Sequence, residues 1–345
     1  MITPYDLTPV NGPQDGCIRD VGFQEIDIKT GELLFEWRWS VHWDITDVIM
    51  YPNGTQGSCS TPWDPFHINS VHKDDAGNYL VSSRHTSTVG YVDGRTGEFI
   101  WKLGGKENMF EDLSGGVATG ISMQHHARFF EGNRSTITLF NNGVSLDGSK
   151  YRSKGLVVDL DFQAMTAKVR REYLSPHEKG SDSRGSMQVL ANGHVLLGYG
   201  VNPGWSEFSK DGDILCDVHF GPGSRFGSED VLSYRVLKRE WVGRPKTRPS
   251  VVGKGGDIYV SWNGATEVAV WALGEEDVDI SNYGSLASVP REGFETRIPV
   301  PSNLDMTPLR VFGLDGYGNV LGSAPVVRGF GAADQGVQIP MPMAN

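Results

Sequence analysis

Apolar and polar positions along this chain alternate with a period of two far more often than they recur at the 3.6-residue spacing of a helix, and the alternating runs are short. Residues 64–104 show it best. HINSVHK, NYLVSSR, TVGYVDG and EFIWKLG read as four strands, and the turns between them, DDAGN and DGRTGE, carry the Asp and Gly that hairpins require. Residues 122–174 repeat the pattern with QHHARFF, STITLFNNG, KGLVVDLD and AKVRREYL. Residues 183–220 and 247–272 supply further units. FQEIDIKTGELLFEW near the start and RVFGLDGYGNVLGSAPVV near the end read as strand pairs. An outer hairpin of the form apolar-Asp-x-x-x-Gly-x-apolar, followed within four residues by Trp, recurs as IDIKTGELLFEW and VDGRTGEFIW. Repetition every 40–55 residues or so, each unit a four-stranded antiparallel sheet, is the signature of a β-propeller. The expectation is an all-β chain forming a single β-propeller domain over residues 1–345. About five blade-like units lie between residues 18 and 330, the first of them incomplete.

Composition fits this picture. Glycine supplies 44 of 345 residues, about 13% where ~7% is usual. With nine tryptophans and 18 prolines, that suits many tight turns between short strands. The net charge of −11 argues against a nucleic-acid partner, because phosphate neutralisation needs a basic face. An anionic small molecule would have to be drawn in by a local cluster of Arg and His. No apolar run approaches the ~18 residues a membrane span needs, so no membrane partner is expected. MITPYDLTPV shows neither the basic nor the apolar region of a signal peptide, which leaves localisation open. Cys17, Cys59 and Cys216 allow at most one bridge. Cys17–Cys59 is the expected pair, with buried free thiols the alternative. The acidic turns DDAGN, SKDGDI and LDGYGN lack the ligand alternation of a calcium loop and read as simple turns. If the propeller is open, its exposed edge strands invite a homodimer.

Candidate chemistry sits in SMQHHARFF, residues 122–130, where two histidines stand side by side. Neighbours in an extended strand face opposite ways, so only one of His125 and His126 can face a given site. If HINSVH, QHHARFF and SRGSMQ are innermost strands, alternation puts Gln124 and His126 opposite to His125 and sets His67 and Asn69 on one face. The SSRHTS stretch brings Arg84 and His85 to the end of a neighbouring strand. His67, Arg84 and His125 can then meet near the channel axis as an anion site. There Arg is a fixed fork of donors, and His serves as nucleophile, acid or base. Each also has a plainer reading as a partly buried strand residue. A metal on His67, His125 and His126 finds no Cys or carboxylate at matching spacing, so no metal is expected. A small aromatic substrate would need a stacking ring. Trp205 in NPGWSEF is the first candidate, ahead of Trp262, Trp63 and Phe66, with blade packing the plainer role for each.

FHINSV, SSRHTSTV, VDGRTGEFIWKLGG, QHHARF and LFNNG follow one another in this order. With QEIDIKTGELLFEW, SWNGATEVAVW and GLDGYGNVLGSAPV, they resemble the arylsulfotransferase family, specifically its fungal-type branch, over nearly the whole chain. The resemblance implies a six-bladed β-propeller. It also implies an enzyme that passes a sulfuryl group from a phenol sulfate to another phenol, with no cofactor and no nucleotide sulfate donor. By the same resemblance His125, in the Gln124-His125 pair, is the nucleophile and becomes a sulfohistidine in a ping-pong mechanism. His67 of the His-x-Asn-Ser block and Arg84 of the Ser-Ser-Arg block hold charge on the sulfuryl and phenolate oxygens. Asn69, His85 and Gln124 line the substrate.

Relatives usually carry a further N-terminal part with a signal peptide and another histidine, and this chain begins at what resembles the end of that part. An incomplete or open propeller is therefore expected. Arg184, in SRGSMQ, stands where an uncharged polar residue is expected, and reads either as an extra cation for an acidic substrate or as a surface residue. Two other functions would use the same residues. One is acid–base isomerisation, cyclisation or elimination of a natural product, and the other is ligand binding in the channel without turnover.

Overall fold

The computed structural model describes residues 1–144, 151–276, 285–301 and 308–328, so the end of the expected domain, 329–345, lies outside the described residues. The chain divides into two compact units, residues 1–238 and 239–345.

In the first unit the alternating runs become four-stranded antiparallel meanders, the blades expected from the sequence. The first blade comprises Ile68–Lys73, Tyr79–Ser83, Thr88–Val92 and Phe99–Leu103. The second comprises His125–Phe130, Asn133–Asn141, Lys154–Asp161 and Thr166–Leu174, with Glu111–Asp112 added in parallel at its outer edge. The third comprises Ser186–Val189, Val195–Gly198, Gly204–Phe208 and Ile214–His219. Two hairpins precede them, Ile2–Tyr5 with Gly16–Arg19 and Gly22–Ile26 with Leu33–Arg38. Tyr79–Ser83 and Thr88–Val92 are buried throughout, since strands inside a blade are covered on both faces.

The recurring hairpin has a local cause. Asp27 Oδ1 accepts the N–H groups of Lys29 and Thr30, both at 2.8 Å, and Asp93 Oδ1 accepts those of Arg95 and Thr96 at 2.8 and 3.0 Å. Gly31 and Gly97 close the two turns at φ 73° and 79°, a left-handed state that costs glycine little. The tryptophan that ends the motif is an anchor: Trp37 is buried, and its indole N–H donates to the Gly97 carbonyl at 3.0 Å. Three acidic turns are likewise side-chain-capped, by Asp74, Ser209 and Asp315. Cys17 and Cys59 are bridged, as expected, whereas Cys216 is exposed rather than buried.

The second unit, taken by itself, holds two further four-stranded sheets. One contains Ser250–Lys254, Asp257–Ser261, Glu295–Pro299 and Val327–Arg328; the other contains Val270–Glu275, Ala287–Pro290, Leu309–Leu314 and Val320–Pro325. The sequence unit 247–272 is thus divided between two sheets. After the Asn263-Gly264 turn, Val270–Glu275 pairs with strands distant in sequence, a choice that alternation alone leaves open. Trp262 is buried there, its indole N–H donating to the Thr247 carbonyl at 3.0 Å. Among the described residues no helix is long and apolar enough to cross a membrane.

Candidate active site

Three residues at corresponding places carry backbone strain. His67, Met123 and Arg184, each within two residues of the start of a blade's innermost strand, have φ of 53°, 54° and 62°. A non-glycine residue held in this region costs about 1–3 kcal/mol, and such residues cluster at functional sites. All lie in the first unit, and the side chains around them converge.

His125 is 2% exposed. Its Nδ1 lies 3.0 Å from the Met123 carbonyl and 2.8 Å from Asn142 Oδ1, both acceptors, so Nδ1 carries the proton. The Asn142 amide is itself fixed, because its Nδ2 donates to the carbonyls of Ser181 and Arg184 at 2.8 and 2.9 Å. The His125 lone pair therefore sits on Nε2, where it accepts the Arg184 backbone N–H at 3.1 Å. Burial pushes its pKa down to about 4, with Arg84 and His67 adding to the shift against the Asn142 and Met123 hydrogen bonds. The imidazole is neutral at ordinary pH.

The histidine pair does not obey simple strand alternation. His126 adopts φ 58°, and the ladder slips in register between His125 and Arg128. This bulge turns His126 toward the third blade as well, where its Nδ1 lies 3.0 Å from the Met187 carbonyl. His126 is buried, with its pKa pushed down to about 3, and its ring is engaged away from His67 and Arg84. His67, His125 and His126 do not converge on one metal.

Arg84 follows Tyr79–Ser83 in the turn whose Ser83 hydroxyl donates to the Phe66 carbonyl at 2.5 Å. Its fork holds two partners, donating to His85 Nε2 at 2.9 Å and to the Asp182 carbonyl at 3.1 Å. His85 Nδ1 faces the Asp64 carbonyl at 2.6 Å, so that nitrogen is the donor and Nε2 the acceptor. Burial, with the charges of His67 and Arg84, pushes His85 down to about 4. His67 stacks obliquely on His85 with ring centroids 4.5 Å apart. Asp64 grips His67 twice, through its backbone N–H at 3.0 Å and Nδ1 at 2.6 Å. Although burial opposes it, the Asp64 carboxyl is held below its ordinary pKa by His67.

The structure thus brings His67, Arg84, His85 and His125 to one end of the blades and gives the remaining expected residues other places. Gln124 is fully buried, and its amide donates to Ser82 Oγ, the Ser83 carbonyl and the Thr88 carbonyl at 2.9–3.1 Å, a strut between the first two blades. Asn69 Nδ2 donates to the Gln124 carbonyl at 2.8 Å, while its buried Oδ1 has no partner among the described residues. Arg184 touches His125 through its backbone, and its guanidinium lies 3.9 Å from Glu229. Trp205 is in the third strand of its blade, two strands out from the innermost, and does not meet the cluster.

Sequence reasoning missed Asp64, Asn142 and Tyr234. Tyr234 lies edge-on to His125 at 6.3 Å between centroids, with the Arg235 guanidinium 5.4 Å from its ring. Its segment runs beside the innermost strand of the third blade, where Ser186 Oγ and the Gln188 amide bond the backbone of Val236 and Lys238. Asp64 stands three residues before His67 in DPFH, and Asn142 lies inside LFNNG, so a signal existed for both.

Asp64, His67 and His85 offer ligand atoms within 4.8 Å of one another. Both nitrogens of His85 are already engaged, and Arg84 lies against it, so the arrangement suits an anion better than a cation.

Blades of this type with a neutral buried histidine facing an arginine fork define a propeller-class protein with a polar site at the blade ends. A family model described as arylsulfotransferase (ASST) matches residues 1–221, and the chain belongs to that family. No curated protein matches the chain. Among solved structures, the chain is similar to a Bacteroides caccae protein of unknown function (TM-score 0.35, 12% identity, 89% of this chain and 92% of that one). It is also similar to the β-propeller domain of Myceliophteria thermophila Cps50 (Swd1) (TM-score 0.31, 9% identity, 45% and 42%). A third likeness is to regucalcin, a calcium-binding protein of Agrobacterium tumefaciens (TM-score 0.32, 13% identity, 83% and 73%). Likeness at this level says nothing of activity.

Proposed function

We propose that this protein transfers a sulfuryl group from an aryl sulfate to a phenolic acceptor through a sulfohistidine on His125. The observation that carries the reading is the tautomer of His125: its proton is committed to Asn142 and Met123, which leaves Nε2 as the lone pair. A neutral imidazole with pKa about 4 is a ready nucleophile at neutral pH and a poor proton reservoir. That contrast favours group transfer over an acid–base isomerisation at the same residue.

In the first step Nε2 attacks sulfur, the S–O(aryl) bond breaks and the N–S bond forms. The positive charge that develops on the ring is met by Asn142 Oδ1 and the Met123 carbonyl at Nδ1. The Arg84 guanidinium, held by His85 and the Asp182 carbonyl, faces the sulfuryl oxygens. His67, oriented by Asp64, gives a proton to the departing phenolate and later takes one from the acceptor phenol. The Arg184 N–H that caps Nε2 must let go when the donor binds, at a cost of about 1 kcal/mol for one hydrogen bond. Tyr234 supplies the aromatic wall for the phenyl ring.

The test is intact mass after brief incubation with a chromogenic aryl sulfate, wild type beside His125→Ala and His125→Gln. A gain of about 80 Da, one SO3 group, with a burst of phenol in the wild type only, is the expected result. Phenol release without an adduct, or an adduct that persists in both variants, would remove His125 from the role.

A further inference from the structure

A second cluster of titratable side chains lies away from this site and takes no part in it. His177 belongs to the link between Thr166–Leu174 and Ser186–Val189. Asp217 and His219 lie on Ile214–His219, the fourth strand of the third blade. His177 Nε2 stands 3.2 Å from Asp217 Oδ1, His219 Nε2 stands 3.5 Å from Asp217 Oδ2, and the three ligand atoms all lie within 4.8 Å. Ligands held at about 2.0–2.1 Å around a tetrahedral ion stand roughly 3.3–3.4 Å apart. The two imidazole-to-carboxylate distances, one to each oxygen of Asp217, are close to that length.

We propose that His177, Asp217 and His219 form a site for a divalent cation of the Zn2+ class. Two imidazoles and one carboxylate are the donors such an ion prefers over Ca2+ or Mg2+, which take oxygen. The carboxylate is oriented from behind: Ser206 Oγ donates to Asp217 Oδ1 at 2.5 Å and accepts the Tyr199 hydroxyl at 2.7 Å. Outer-sphere bonds of this kind fix metal ligands in place. The Phe226 ring, 4.6 and 4.9 Å from the two imidazole centroids, closes one side. The His219 side chain, 39% exposed, leaves the other side open to a water as fourth ligand. Two nearby cations are engaged elsewhere: Arg152 Nε donates to the Ser175 carbonyl and Lys179 Nζ to the Phe226 carbonyl, both at 3.1 Å. At the other His/Asp cluster, by contrast, both nitrogens of His85 are used and Arg84 is in contact.

The ion would have a mechanical consequence. The link that carries His177 also presents the Ser181 and Asp182 carbonyls and the Arg184 N–H, which hold Asn142, Arg84 and His125. A metal joining His177 to the outer strand of the third blade would tether that link. The proposal does not depend on the sulfuryl-transfer reading.

The experiment uses the full chain carrying Cys216→Ser, which removes the exposed thiol as a competing ligand. Protein stripped with a chelator is dialysed against Zn2+ and then metal-free buffer, and bound zinc is measured beside the thermal midpoint. One equivalent retained, with a raised midpoint, is expected. Both should be lost in His219→Gln and in His177→Gln and kept in His194→Gln, which opens the unrelated His194–Glu207 pair. Zinc absent from the parent, or retained equally by His219→Gln, would overturn the site. Because His219 is partly exposed, its replacement leaves the fold intact, and the comparison is made on folded protein.

Discussion

Nδ1 of His125 lies 2.8 Å from Oδ1 of Asn142, and that contact sets which nitrogen of the histidine is free. Asn142 is fully buried and spends its own N–H groups on the carbonyls of Ser181 and Arg184, so it joins the nucleophile to the link that caps it. Replacing it with alanine leaves Nδ1 to the Met123 carbonyl alone and takes the donor from two carbonyls, those of Ser181 and Arg184. Asn142→Ala should lower the rate of the first, phenol-releasing step about 10- to 100-fold, by analogy with the loss when the partner that orients a metal-bound histidine is removed. KM for the aryl sulfate should move far less. Stability should fall by about 1–3 kcal/mol for each buried group left unpaired. Stopped-flow burst kinetics and denaturant titration read the two effects separately, and an unchanged burst rate would show that the tautomer is set elsewhere.

The depressed pKa values make a pH prediction. His125 and His126 are neutral when folded, with values near 4 and 3, against ~6.5 in an unfolded chain. The unfolded chain therefore binds more protons across that interval. Stability is fully present above about pH 6.5 and falls as pH drops toward 4, by a few kcal/mol in all. With 4-nitrophenyl sulfate as donor, whose phenolate leaves without a proton from His67, the burst rate needs only the unprotonated Nε2 and should stay level from pH 8 to about 5.5 and fall only near 4. An inflection near 6.5 in the burst rate would mean that His125 is not held as the geometry implies.

Arg184 separates two readings that the sequence left open. Its contact with the nucleophile is a backbone N–H, at φ 62°. Arg184→Gly keeps that N–H and relieves the left-handed strain, a gain of about 1 kcal/mol less the extra freedom of glycine when unfolded. Turnover of a simple aryl sulfate should stay within about threefold of the wild type, since the guanidinium is directed to Glu229. A tenfold or greater loss in kcat/KM would instead assign the guanidinium to substrate.

Much of the site was legible because its residues sit in compact blocks at strand entries. His67, Arg84 and His125 each follow or precede a clear alternating run, and strand order then brings them together. What was hidden has physical causes. Alternation assigns Gln124 a face but cannot show that its amide spans to Ser82, Ser83 and Thr88. A left-handed His126 breaks the pleat on which the face assignment rests. Tyr234 was invisible because its segment is bonded by the side chains of Ser186 and Gln188 rather than by a ladder, so it carries no period-two pattern. Trp205 was misplaced because composition marks an aromatic residue without giving the depth of its strand in the blade. Asn142 was in view within LFNNG, yet its partner lies 17 residues earlier on another strand.

The Cys17–Cys59 bridge is the last feature with a measurable consequence. It joins the strand Gly16–Arg19 to the loop before Trp63, where Cys17 also exchanges backbone hydrogen bonds with Gly57 and Trp63 at 2.7 and 3.1 Å. The link it closes runs across the site end of the first blade, because the Ile49 N–H donates to the carbonyl of His85 at 3.0 Å. Chain-entropy arguments give about 4 kcal/mol for a loop of the 42-residue separation. Cys17→Ala with Cys59→Ala should therefore lower unfolding free energy by 2–4 kcal/mol or so. Adding reductant to the wild type should reproduce the loss. Because the link's hydrogen bond at the site is a backbone one, to the His85 carbonyl, kcat of the folded double variant should change little. Urea titration with and without reductant, beside single-turnover rates, distinguishes a bridge that holds the fold from one that holds the site.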